Sequence, residues 1–125
     1  MSVEEQGWAK TTLKPGNGED FPRVGDQVRI AYTGWLRDPS NSADYEKGRE
    51  FDSSRKRGPL QTEIGVGRVI KGWDEGVRAM SLGEKSILTI NSRYAYGERG
   101  FPNVIPPNSD LVFEVELLGI NNKSV

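Results

Sequence analysis

Apolar and polar residues alternate from Gln27 to Leu36, with Val28, Ile30 and Tyr32 on one side and Arg29, Ala31 and Thr33 on the other. Successive side chains of a strand point to opposite faces, so this segment predicts a half-buried strand. The same period governs 111–120, where Leu111, Phe113, Val115 and Leu117 face one way and Glu114 and Glu116 the other. Lys85 to Ile90 predicts a compact apolar strand. Trp8 to Lys14 predicts a first strand, closed by the turn residues Pro15-Gly16-Asn17-Gly18. Phe51-Asp52-Ser53-Ser54 reads as extended, Arg55-Lys56-Arg57-Gly58-Pro59 as a solvated turn, and Leu60 to Ile64 as another short strand. The period changes once. Trp73, Val77 and Met80 recur at i, i+4 and i+7, which predicts a short helix over 71–80 with Gly83 as its stop. That helix turns those three residues inward and Asp74, Glu75 and Arg78 toward solvent.

Two connections stand out against this pattern. From Arg37 to Arg49 the chain is polar apart from Tyr45 and predicts a long exposed loop between strands, with an insertion over about 38–50. From Asn91 to Asn108 the connection holds Tyr94-Ala95-Tyr96-Gly97 and Gly100-Phe101-Pro102-Asn103-Val104-Ile105-Pro106-Pro107. Loops are usually polar; one this apolar either covers a core or lines a groove, and its prolines stiffen it. A groove is the expectation here.

Composition narrows the chemistry. The 125 residues contain no Cys and no His, which removes disulfides, thiolate nucleophiles, zinc ribbons, imidazole bases and His-ligated metals together. No metal and no cofactor is expected. The 17 basic and 18 acidic residues are scattered, leaving no basic stripe for nucleic acid. Met1 to Gly7 carries acids where a secretory leader carries positive charge and an apolar run, and no later stretch is long and apolar enough for a membrane span. The expectation is a soluble, cytoplasmic, monomeric protein forming one domain over 1–125, in which Asn122-Lys123-Ser124 is not glycosylated.

Phosphate-binding motifs fail on inspection. Gly65-Val66-Gly67 lacks the third glycine of a dinucleotide fingerprint, Ile70 standing in its place, and Trp73 stands where a phosphate loop needs Lys. These glycines are expected instead to make turns that expose backbone near the helix start. Asp52 reads as the one acid embedded among apolar and small residues, with Arg57 five positions on. Either the two form an ion pair bracing a strand interruption, or Asp52 is a pocket-rim carboxylate held ionised by Arg57.

Phe51-Asp52-Ser53-Ser54, Val69-Ile70-Lys71-Gly72-Trp73, Tyr94-Ala95-Tyr96-Gly97 and Leu111-Val112-Phe113-Glu114-Val115-Glu116-Leu117-Leu118, in this order, resemble the FKBP family of tacrolimus-binding peptidyl-prolyl isomerases. The similarity runs over about 15–120, interrupted by the polar loop. It implies an α+β fold, an antiparallel sheet of about five strands wrapped around one short α-helix, with an apolar pocket between them. It also implies catalytic roles for Tyr32, Phe51, Asp52, Trp73, Tyr96 and Phe113, with Trp73 as the pocket floor. Substrate or macrolide binding would add Arg57, Leu60, Val69, Ile70, Phe101, Val104 and Ile105, the Ile70 N–H and the Tyr96 hydroxyl serving as ligand donors. The implied partners are proline-containing peptides and proteins, and tacrolimus- or rapamycin-type macrolides, with a drug-dependent phosphatase or kinase as a further partner. Leu60 stands where the family often has an aromatic wall residue, which keeps a binding module without turnover open beside the isomerase. A purely structural domain, with these residues simply core, is the third alternative.

Overall fold

In the computed structural model, residues 7–125 are described; the acidic opening read above as unlike a secretory leader lies outside them except for Gly7. Seven strands form one antiparallel sheet: β1 (Trp8–Lys14), β2 (Gln27–Arg37), β3 (Lys47–Ser53), β4 (Leu60–Glu63), β5 (Lys85–Ile90), β6 (Leu111–Ile120) and β7 (Lys123–Ser124). The main path is β1-β5-β6-β2-β3, with β4 on β2 and β7 on β6. The five-strand path matches the resemblance, and the short β4 and β7 carry the sheet beyond it. β7 has no apolar alternation to announce it; its two residues are exposed and held by pairing with Gly119 and Ile120.

Strand β2 organises the sheet. Its inner edge pairs with β6 from Val28 to Leu36, while its outer edge is shared, β4 taking Gln27 to Ile30 and β3 taking Thr33 to Arg37. Tyr32 falls in the gap between the two. Its backbone is satisfied by Ser54: the Tyr32 N–H donates to Ser54 Oγ at 2.9 Å, and the Ser54 N–H donates to the Tyr32 carbonyl at 2.9 Å. A buried serine therefore replaces a missing strand partner, as the near-complete satisfaction of buried backbone groups requires.

The helix is shorter than its period suggests. α1 spans Lys71–Gly76, and Val77–Ala79 continues as a 3-10 turn that ends at an extended Met80. Tightening of a last turn in this way is common. Trp73, Val77 and Met80 all turn inward as expected, at 4%, 0% and 0% exposure. They pack with Leu88, Ile90, Phe113, Val115 and Leu117 into one core. Gly72 sets the approach, since a Cβ there would lie 2.6 Å from Ile90 Cγ2 on β5. Trp8 ties β1 to the same helix by donating from Nε1 to Glu75 at 3.0 Å.

Two expectations about polar segments are corrected. The connection after β2 is shorter than 37–49: β2 runs to Arg37 and β3 already begins at Lys47, paired through Arg37↔Lys47 and Trp35↔Glu50 with a register shift between them. Alternation could not reveal this, because an edge strand held by backbone pairing needs no apolar face. The remaining loop folds on itself, Asn41 Nδ2 donating to the Lys47 carbonyl at 2.7 Å and the Asp38 N–H to the Glu46 carbonyl at 2.7 Å. Replacing Pro39–Tyr45 with Asn-Gly, a two-residue hairpin turn, should leave thermal stability, and the isomerisation that the resemblance implies, nearly intact; loss of that activity in an equally stable variant would place this loop in the site. The second correction is Asp74, which is buried at 8% rather than solvent-facing. Glu84 is buried too, at 5%. Asp52 is therefore not the one embedded acid. Glu84 is held by Lys10 Nζ at 2.6 Å, Ser86 Oγ at 2.7 Å and the Ser81 N–H at 3.0 Å, and these donors outweigh a burial that pushes its carboxyl upward, leaving it below the usual range. Among the described residues, no helix is long and apolar enough to cross a membrane.

Candidate active site

Four aromatic rings from three strands and the helix meet at one place. Trp73 opens α1, Tyr32 is on β2, Phe51 on β3 and Phe113 on β6. Trp73 meets Tyr32 edge-on at 4.9 Å between ring centroids and 79°, and Phe113 at 5.1 Å and 76°. Phe113 in turn meets Phe51 at 5.6 Å and 84°. Edge-to-face rings of this kind attract beyond the area they bury, by about 0.5–1.5 kcal/mol a pair. Gly34 makes the cluster possible: a Cβ on it would lie 2.7 Å from Phe113 and 2.8 Å from Phe51. Its place opposite Phe113 in the β2–β6 ladder is invisible without the register.

Above the rings lies a cavity of about 170 Å³. Tyr32, Phe51, Trp73 and Phe113 line it, joined by Leu60, Val69, Ile70 and Tyr96, with Asp52 and Arg68 as its charged residues. All six residues expected to be catalytic thus come together, with Leu60, Val69 and Ile70. Trp73 carries the one buried side-chain polar atom without a hydrogen-bond partner among the described residues, its Nε1. Phe101, Val104 and Ile105 do not reach this cavity. They line a second depression of about 230 Å³ that shares Phe51, Asp52 and Tyr96 with the first. The apolar 91–108 connection therefore lines a groove. A larger hollow, about 430 Å³, shares no residue with either and lies among Asp20, Asp26, Asn121 and Lys123. Two of its acids are already engaged, Asp20 by Lys123 at 2.6 Å and Asp26 by the Arg23 N–H at 2.9 Å, and volume alone does not mark the site.

The rim carboxylate already accepts three hydrogen bonds. Asp52 accepts from the Tyr32 hydroxyl at 2.6 Å, from Arg57 Nη2 at 2.8 Å and from the Ser53 N–H at 2.9 Å, while Arg57 Nη2 also donates to the Tyr32 oxygen at 2.9 Å. Burial pushes the Asp52 carboxyl upward, but the donors from Tyr32, Arg57 and Ser53 together outweigh it and hold the group below its usual range. Burial, and then the hydrogen bond to Asp52, push the Tyr32 hydroxyl up to about 12. Burial and the Asp52 charge raise Tyr96 as well. No side chain here is poised to exchange a proton near neutrality. Arg57 itself stays outside the cavity.

One residue that the sequence did not single out shapes the wall. Asp74 Oδ1 accepts the Gly65 N–H at 2.8 Å and its Oδ2 accepts the Gly67 N–H at 2.9 Å. Both glycines have positive φ, +82° and +81°. Their turn geometry is as expected, but their N–H groups are consumed by Asp74 rather than exposed. Arg68, paired with Glu63 at 3.4 Å, joins the lining for the same reason, because the clamped segment delivers 68–70 to the cavity. At its end the Ile70 carbonyl accepts the N–H groups of Trp73 and Asp74, at 3.0 and 3.1 Å, while the Ile70 N–H meets no acceptor among the described residues.

A family model described as FKBP-type peptidyl-prolyl cis-trans isomerase matches residues 18–118. The chain belongs to that family. It is 63% identical over 116 residues to FK506-binding protein 1B of Aspergillus fumigatus, covering 93% of this chain and 96% of that one. A Schizosaccharomyces pombe protein named peptidyl-prolyl cis-trans isomerase is 53% identical over 124 residues, 98% of each chain. FK506-binding protein 1 of Saccharomyces cerevisiae is 56% identical over 110 residues, 87% of this chain and 89% of that one. These matches decide between the alternatives left open by Leu60: the protein is a peptidyl-prolyl cis-trans isomerase, and Leu60 lines its aromatic cavity.

Proposed function

We propose that this isomerase seats the prolyl ring of an X-Pro substrate on Trp73, enclosed by Tyr32, Phe51 and Phe113, with Tyr96 and the Ile70 N–H as donors to substrate carbonyls. The observation that carries this reading is an aromatic cavity whose one lining carboxylate among the described residues already accepts from Tyr32, Arg57 and Ser53. Rotation about the X-Pro bond meets a barrier of about 18–20 kcal/mol because it breaks amide resonance. The planar amide is the more polar state, so removing water from it raises the ground state relative to the twisted transition state. A ten-thousandfold acceleration requires about 5.4 kcal/mol. Stripping an amide of its hydrogen bonds costs roughly 2–7 kcal/mol, enough to supply most of that difference. Asp52 then acts by orienting the Tyr32 hydroxyl and by accepting a ligand hydroxyl, and Arg57 by keeping Asp52 ionised.

The same cavity and its neighbouring depression suit a macrolide of the tacrolimus or rapamycin type, with Val69, Phe101, Val104 and Ile105 as the outer apolar contacts. The names of the Aspergillus and Saccharomyces relatives support this ligand class. A drug-bound surface would then be available to a phosphatase or kinase. We further infer one isomerase domain over 1–125, acting as a cytoplasmic monomer on proline-containing peptides and folding proteins without metal or cofactor.

The test is an NMR-exchange assay of a neutral X-Pro peptide across pH. With Asp52 lowered and Tyr32 at about 12, neither changes charge between about pH 6 and 8, so kcat/KM should be flat there. A bell-shaped profile, or a limb that disappears in Asp52→Asn, would show that a proton moves and sink the desolvation mechanism. A tacrolimus-type macrolide should abolish the exchange at one equivalent.

A further inference from the structure

We propose that the groove beyond the prolyl cavity ends in a cationic subsite, built by Arg49 and Arg99, that takes an acidic side chain of the substrate. The proposal rests on the prolyl seat described above. Three depressions run in series. The aromatic cavity shares Phe51, Asp52 and Tyr96 with the second, and the second shares Val104 and Ile105 with a third of about 200 Å³. Arg49 and Arg99 are the two charged residues lining this third depression, among Pro102, Pro106 and Pro107. A peptide leaving the prolyl cavity along this path advances about 3.3 Å per residue, and the path leads it to Arg49 and Arg99.

The subsite is preformed on one side and uncommitted on the other. Phe101 and Ile105 exchange backbone hydrogen bonds at 2.8 Å in both directions, fixing the turn that carries Val104. Arg49 Nη2 donates to the Val104 carbonyl at 3.2 Å, which anchors the guanidinium at the groove wall with its remaining donors unpartnered among the described residues. Neither Arg49 nor Arg99 lies within ion-pair distance of a carboxylate among the described residues. The other arginines bordering the site differ: Arg55 holds Glu50 at 2.9 Å, Arg57 holds Asp52 at 2.8 Å and Arg68 holds Glu63 at 3.4 Å. Glu50, the acid next to Arg49 in the chain, is thereby taken, and Glu98 does not line the depression. Two arginines without a carboxylate partner among the described residues, lining an apolar-walled groove, fit a carboxylate, to which arginine binds with two parallel hydrogen bonds.

The test uses peptides with a central Ala-Pro bond and either Glu or Gln at each of three positions before and after the proline. Their exchange is followed by NMR with the wild-type protein and with R49Q/R99Q. At low ionic strength one register should favour Glu over Gln in kcat/KM by about three- to tenfold, the size expected of exposed charge pairs. The ratio should fall toward one at about 1 M salt, where the screening length is ~3 Å. In R49Q/R99Q it should be one at any salt, while the rate on the Gln peptides equals wild type. A Glu preference in no register, or one that survives in R49Q/R99Q, overturns the subsite and leaves the prolyl seat standing. Absence of exchange on the Gln peptides by the wild-type protein overturns both.

Discussion

Phe113→Ala should lower kcat/KM on a neutral X-Pro peptide by about a hundredfold or more, whereas Asp52→Asn should lower it by less than about tenfold. Phe113 is buried at 3% and meets Trp73, Phe51 and Tyr32 edge-on or tilted, so its loss opens the enclosure to water and frees two of its walls. Asp52 touches the cavity only at its rim, and an amide at that position still accepts from the Tyr32 hydroxyl. The Phe113 change also removes core packing and should cost about 3–5 kcal/mol of stability. The assay is therefore run on protein shown folded by its circular dichroism, with Phe113→Leu as a second variant that keeps most of the volume and loses the ring. An Asp52→Asn variant that is folded but inactive, beside a nearly normal Phe113→Ala, would refute desolvation as the source of the rate.

Asp74→Asn should be as disruptive to turnover as a change within the pocket, although Asp74 does not line it. An amide offers one acceptor where the carboxylate offers two. Either the Gly65 or the Gly67 N–H then loses its partner and faces an amide donor, at a cost of about 2–4 kcal/mol. The segment released is the one that brings Val69 and Ile70 to the cavity, and displacement of such positioning groups by an ångström commonly costs a hundredfold in rate. Glu84→Gln is the matched comparison. Glu84 is similarly buried and accepts from more donors, and it ties Lys10 of β1 to Ser81 and to Ser86 of β5, away from the aromatic cavity. It should lose similar stability in urea titration and keep kcat/KM within about twofold. Equal rate losses in both variants would mean that Asp74 acts on stability alone.

Residues that obey one local period were legible without coordinates. β6 begins and ends where alternation predicts, with Leu111, Phe113, Val115 and Leu117 all buried at 3% or less, while β1 and β5 match the bounds read from a closing turn and a compact apolar run. The reason is that a strand against a core repeats its burial every second residue, so neighbours in sequence report the fold directly. The inward face of α1 was legible on the same ground. The absence of Cys and His, which excludes most proton-transfer and thiolate chemistry, required no structure at all. Resemblance to a known family brought the pocket residues together on paper, across separations that no periodicity spans.

Polar positions followed a different logic. β3 starts at Lys47 because its backbone pairs with β2, and a backbone donor carries no side-chain signature. Asp74 looks like any solvent-facing helix residue until the Gly65–Gly67 turn is folded over it, and burying its charge is tolerable only because two N–H groups arrive there together. Ser54 and Gly34 likewise matter through partners distant in the chain, Tyr32 for the first and the touching rings of Phe51 and Phe113 for the second. Sequence by itself determined which strands and which helical face would be buried, since hydrophobic burial is additive and locally periodic. Which polar group meets which, and so where the cavity has a rim, a clamp and a charged end, was decided only by the tertiary structure, because hydrogen bonds are directional and depend on residues distant in the chain.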